Sequence, residues 1–138
     1  MSFRERSAWV MGALMIAAGL YYWYAVAAAS RAIGATAPAA IVIGFVLLVV
    51  VASIAIQTLL ALSSPKEANM PADERERLVQ RSAGHWSGLV LAIGAVLSLG
   101  HYMVSANGNM LFHLIMASLI VAQIAEYALQ IILVRRTF

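Results

Sequence analysis

Residues 110–134 read MLFHLIMASLIVAQIAEYALQIILV, with one acidic residue, no basic residue and no proline. A helix that spans a bilayer needs about 20 mostly apolar residues, so this stretch predicts a transmembrane helix. Three further stretches, all N-terminal to this one, meet the same criterion, at about 8–29, 39–62 and 83–104. The sequence therefore predicts an all-α integral membrane protein with four spans.

The connections between the spans predict how the helices pair. Asn107-Gly108-Asn109 is a turn signal that joins the third and fourth spans tightly. Residues 63–82 form the longest predicted loop, and Pro71 with the acids that follow it favours a short helix that runs into the third span. We expect a four-helix bundle of two antiparallel hairpins, in a single membrane domain over residues 1–138.

Composition supports a membrane location and excludes several other classes. The chain is 63% hydrophobic and 11% charged, whereas soluble domains are about 45–50% apolar and about 25% charged. It has no cysteine, which excludes disulfides and thiolate metal sites. The formal net charge of +3 does not indicate nucleic acid as a partner, because the basic residues flank the apolar spans. The expected surroundings are the lipid bilayer.

Basic and aromatic residues predict the orientation. Eight of the nine lysines and arginines fall before the first span, between the second and third, or after the fourth, and only Arg31 falls on the other side. The positive-inside rule then places both termini and the 63–82 loop in the cytoplasm. Aromatic residues near the span ends are typical of interface anchors: Trp9, Tyr21, Tyr22, Trp23, Tyr24, Trp86 and Tyr102.

Glu126 is the acidic residue inside the fourth span, and it is the leading candidate for an intramembrane polar site. A carboxylate at that depth costs a few kcal/mol or more if it faces lipid, so we expect it to face protein or water. Gln123 and Gln130 lie three residues before and four residues after it, which places them on the same helix face. Depth along the other helices makes Gln57, His85 and Ser87 feasible neighbours.

Two interpretations of this cluster follow. In the first, the polar residues hydrogen-bond between helices and hold them together. In the second, Glu126 is the site of a small proton- or cation-coupled transporter or channel-like dimer.

Two further sets of residues suggest other sites. His101 and His113 lie at matching depths on either side of the Asn107 turn, where imidazoles could ligate a metal or haem. Hydrogen bonding to water or backbone is the simpler interpretation, and no cofactor or metal is expected. Gly84, Gly88 and Ala92 form a stripe of small residues that lets another helix approach closely, either within the bundle or in a homodimer.

The stretch Asp73-Glu74-Arg75-Glu76-Arg77-Leu78-Val79 resembles a motif in a group of small prokaryotic inner-membrane proteins of uncharacterised function. In that group an Asp-Glu-Arg-rich segment likewise precedes the third of four spans. The resemblance implies four helices and an inner-membrane location, and it implies no particular activity.

No nucleophile–base pair, phosphate-binding glycine loop or paired carboxylate set occurs in the sequence, so we do not expect an enzyme. The most favoured function is a non-enzymatic oligomeric or accessory subunit that associates with itself or with a larger membrane complex. The transporter that uses Glu126 is the alternative, and a haem or quinone redox carrier is the third possibility.

Overall fold

The computed structural model describes residues 3–33, 39–71 and 73–136. In chain order its helices are α1 (Phe3–Ile33), α2 (Ala39–Ser63), α3 (Pro65–Ala68), α4 (Glu74–Ser105) and α5 (Gly108–Arg136). No strand occurs among these described residues. The helices α1, α2, α4 and α5 are long and apolar enough to cross a membrane, so the prediction of an all-α protein with four spans is confirmed. Together they indicate a multi-pass membrane protein.

The helices extend beyond the apolar stretches from which the spans were predicted. α4 has 32 residues, which at about 1.5 Å per residue is longer than the roughly 30 Å of a bilayer's hydrocarbon core. It begins at Glu74, inside the 63–82 segment, and α3 occupies residues 65–68 of the same segment. Hydropathy detects only the part of a helix that suits lipid, and a helix continues into polar sequence as long as its backbone bonds are favourable.

The chain forms two compact units, Met1–Met70 and Pro71–Phe138. In the first unit α1 buries Ala8, Met11, Met15, Ala18 and Tyr22, which repeat every three or four residues and so lie on one stripe of the helix. The Tyr22 ring packs on Phe45 of α2 with 5.2 Å between ring centroids. Tyr22 is fully buried, so its ring packs against protein. Its neighbours Tyr21 and Tyr24 are exposed.

The second unit contains α4 and α5, joined by Ala106 and Asn107. Asp73 caps α4 by accepting a hydrogen bond from the Glu74 N–H at 2.8 Å. α4 ends because Ala106 adopts the left-handed conformation, with φ of 49°, and donates its N–H to the Tyr102 carbonyl. Asn107 then starts α5, since its side-chain oxygen accepts from the Met110 N–H at 3.1 Å.

Candidate functional site

Glu126 of α5 lies at the centre of a small polar cluster in the second unit. Its Oε2 accepts from the Ser87 hydroxyl of α4 at 3.5 Å and from the Gln123 amide at 3.4 Å. Its Oε1 accepts from the Gln130 amide at 3.4 Å. The structure therefore brings together four of the residues that the sequence predicts to cluster, and Ser87 connects the two helices.

These contacts are long, and the donors are neutral. Hydrogen bonds to oxygen are usually 2.7–3.0 Å between heavy atoms, so 3.4–3.5 Å corresponds to weak interactions. The Ser87 hydroxyl also has a closer acceptor, the Gly84 carbonyl at 3.1 Å. A serine hydroxyl has one hydrogen, so its donation to Glu126 is shared with its own helix.

No basic side chain forms an ion pair with Glu126 among residues 3–33, 39–71 and 73–136. Within the described part of the chain, a charged carboxylate in this position would have dipoles around it and no counter-charge. Such a group can be stabilised by a proton, by a cation, or by further donors from another helix. The described residues contain no set of three or more His, Cys, Asp and Glu side chains that could hold a metal.

His85, which was also predicted for this cluster, lies on another side of α4. His85 is an exposed side chain of α4, and its ring lies edge-on to that of Trp86 at 6.1 Å. Gln57 is an exposed side chain of α2, in the first unit. His85 and Ser87 are two residues apart, or about 200° around a helix, and this rotation carries His85 away from Glu126.

The small-residue stripe predicted for packing is exposed. Gly84, Gly88 and Ala92 are all exposed, and a Cβ placed on Gly84 or Gly88 would have no neighbour within 4 Å among the described atoms. α4 instead buries a different set of small residues, Ala83, Ser87 and Ser98. Gly94 lies on this same face, and a Cβ there would collide with Ser118 of α5.

Gly94 and Ser118 are the residues that sequence reasoning missed. A signal was present, because Ala83, Ser87, Gly94 and Ser98 repeat at spacings of four and seven and so form a second small-residue stripe. Counting serine with glycine and alanine would have revealed it.

His101 of α4 and His113 of α5 lie in different surroundings. His101 is exposed, whereas His113 is buried and lies edge-on to Phe112 at 5.6 Å. His113 precedes Glu126 by 13 residues, which is a rotation of roughly 140° around α5. Since Glu126 contacts α4, His113 lies well away from the line along which α4 and α5 meet. Nothing in this arrangement favours joint ligation of one ion or haem.

Compared with known proteins, the chain matches no protein family, no curated protein sequence and no solved structure. Its function is therefore argued from its own residues.

Proposed function

We propose that this chain is a non-enzymatic subunit of a membrane assembly, which associates with a second copy of itself through one side of the α4–α5 pair. The observation that carries the proposal is the exposure of Gln123 in an apolar span. An amide that faces hydrocarbon loses its hydrogen bonds to water, and a second helix can replace them.

The contacts between α4 and α5 support an antiparallel pair. Ser87 meets Glu126, and seven residues further along α4 Gly94 meets Ser118, which lies eight residues earlier in α5. Contacts that advance along one helix and retreat along the other are those of an antiparallel hairpin. The same topology for α1 and α2 would give the bundle of two hairpins, and the distribution of basic residues supports cytoplasmic termini in an inner membrane.

Two exposed glycines of α4 lie on the same side of this hairpin as Glu126 and the two glutamines that contact it. Gly84 and Gly88 are rotated around α4 by about 60° and 100° relative to Ser87, both in the same sense. Gln123 and Gln130 are rotated around α5 by about 60° and 40° relative to Glu126, in that same sense. In antiparallel helices that face each other, equal senses of rotation lead to the same side. We call this side the amide face: Gly84, Gly88, Gln123, Glu126 and Gln130.

The amide face combines two features that favour association of helices in lipid. The open space around Gly84 and Gly88 lets the backbone of a second helix approach closely. Interhelical hydrogen bonds from residues such as Gln123 contribute about 0.6 kcal/mol on average and up to about 2 kcal/mol. A second copy offers the same donors and acceptors, so the face is self-complementary under two-fold symmetry. A larger membrane complex is the alternative partner.

Two glycine variants of the full chain test the proposal. Gly88→Leu fills the amide face, whereas Gly100→Leu fills open space that lies on another side of α4; neither glycine has a neighbour within 4 Å to clash with. We expect energy transfer between labelled copies in vesicles to require about tenfold more protein for Gly88→Leu, as expected for a loss of ~1.4 kcal/mol. The proposal would be contradicted if Gly88→Leu associated as strongly as the wild type, or if the wild type and both variants were all monomeric.

A second candidate function rests on the lack of a basic partner for Glu126 among the described residues. A carboxylate with only neutral donors can take up a proton or a cation and release it, which is the chemistry of a coupled transporter. Proteoliposomes that contain the wild type would then show a proton or alkali-cation flux. Glu126→Gln would abolish that flux. An equal flux with and without the carboxyl group would eliminate this candidate.

A further inference from the structure

A groove of about 480 Å³ lies between α4 and α5, entirely within the second unit. Its walls include Val90, Ile93 and Leu97 of α4 together with Leu114 and Val121 of α5. Relative to Ser87, the residues Val90 and Leu97 are rotated around α4 in the opposite sense to the two glycines of the amide face. The groove is therefore on the opposite side of the α4–α5 pair from the amide face, and its occupant does not depend on self-association.

The groove presents an apolar surface even where its lining residues are polar. Ser98 and Ser118 both line it. The Ser98 hydroxyl donates to the Gly94 carbonyl at 2.6 Å, and the Ser118 hydroxyl donates to the Leu114 carbonyl at 2.8 Å. Each hydroxyl hydrogen is thus used within its own helix, and the other lining side chains are apolar apart from His101 at one end. Such a groove suits an aliphatic chain.

The length of the groove matches one leaflet of a bilayer. Along α4 it extends from Val90 to His101, and 11 residues at about 1.5 Å each span roughly 16 Å. Half of a hydrocarbon core of about 30 Å is nearly the same length. One end lies next to the α4–α5 connection, where His101 and Met110 line it, and the other end lies towards the middle of the spans.

The end next to the connection is complementary to a negative headgroup. α5 begins there, and the first N–H groups of a helix have no acceptor within the helix and carry partial positive charge. The Asn107 side chain accepts from the Met110 N–H, which leaves the N–H groups of Gly108 and Asn109 for an outside acceptor. His101 adds an exposed imidazole at the same end. An aliphatic chain with a phosphate at this end therefore fits both parts.

We propose that the groove binds one phospholipid of the leaflet next to the α4–α5 connection, with an acyl chain between Val90 and His101 and the phosphate at the N-terminus of α5. This lipid differs from the solvating lipid around every span, because it preferentially contacts the side of the α4–α5 pair on which the groove lies.

Photolabelling of the full chain tests this. The probe is phosphatidylglycerol with a diazirine in one acyl chain, at a low fraction in phosphatidylcholine nanodiscs. Leu97 lines the groove and Val96 does not, although they are adjacent in depth and are 68% and 67% exposed. We expect about tenfold more label on Leu97, a preference that corresponds to ~1.4 kcal/mol. Equal labelling of the two residues would show only solvating lipid and would overturn the proposal.

Two further comparisons separate the parts of the site. Ala117→Trp fills the groove and should lower labelling of Leu97 to the level of Val96, whereas Val96→Trp should leave labelling of Leu97 unchanged. A diacylglycerol with the same diazirine chain lacks the phosphate and should label Leu97 several-fold less than phosphatidylglycerol does. Equal labelling by both probes would overturn the assignment of the phosphate. Disulfide-linked dimers of Leu97→Cys without lipid labelling would show a second copy in the groove and would overturn the whole proposal.

Discussion

Gly94 of α4 and Ser118 of α5 lie so close that a Cβ on Gly94 would be 2.7 Å from the Ser118 Cβ, nearer than real Cβ contacts allow. The two helices can meet here only because Gly94 has no side chain. The same helix carries Gly84, Gly88 and Gly100 with open space around each. The glycines of α4 therefore fall into two groups: Gly94 is in contact with α5, and the other three lie on exposed sides of the helix.

We expect Gly94→Ala to destabilise the α4–α5 pair by ~1–3 kcal/mol, the usual effect of overpacking a close contact. Gly100→Ala, at an open position of the same helix, should leave stability unchanged or slightly raised. Thermal unfolding in detergent, followed by loss of helical circular dichroism, measures both. A Gly94→Ala protein as stable as the wild type would show that α4 and α5 do not approach as closely as described.

The left-handed Ala106 gives a prediction of the opposite sign. A non-glycine residue in this conformation costs ~1–2 kcal/mol because its Cβ approaches the following carbonyl. Ala106→Gly should remove that cost and raise the unfolding temperature. Ala106→Val should lower it, since a β-branched residue tolerates positive φ least. If Ala106→Gly instead lowered the unfolding temperature, the described end of α4 would be wrong.

The buried Tyr22 provides a test within the first unit. Tyr22→Ala removes a fully buried ring that packs on Phe45, and large-to-small changes of this kind cost ~3–5 kcal/mol. Tyr24 is 73% exposed, so Tyr24→Ala should have little effect on unfolding. Similar losses for the two variants would contradict the packing of α1 against α2.

Glu126→Gln keeps a side chain of the same shape and replaces the carboxyl group by an amide that cannot ionise. The three donors to Glu126 are neutral and lie at 3.4–3.5 Å, so they stabilise a carboxylate only weakly. We therefore expect Glu126→Gln to fold and to unfold at a higher temperature than the wild type at neutral pH. Lower stability of Glu126→Gln would indicate that a counter-charge or bound cation compensates the carboxylate.

Much of the fold follows from the sequence, because the requirement for about 20 apolar residues per span leaves few alternatives. The contacts of Glu126 with Gln123 and Gln130 also follow from helix periodicity alone. The packing role of Gly94 in place of Gly84 and Gly88 does not, because periodicity defines the sides of α4 without saying which side meets α5. The left-handed residue is Ala106, although glycine suits that conformation better by propensity and Gly108 lies two residues later. Gly108 is the first residue of α5, whereas the Ala106 N–H bonds to the Tyr102 carbonyl at the end of α4.

Cysteine cross-linking in membranes tests self-association through the amide face most directly, since the chain contains no cysteine of its own. Single variants Gly88→Cys and Gln123→Cys place a thiol on the amide face, whereas Val96→Cys and Val121→Cys place one on other exposed sides. We expect mild oxidation to give covalent dimers from Gly88→Cys or Gln123→Cys and monomers from the two controls. Dimers from the controls alone, or from none of the four, would contradict self-association through this face.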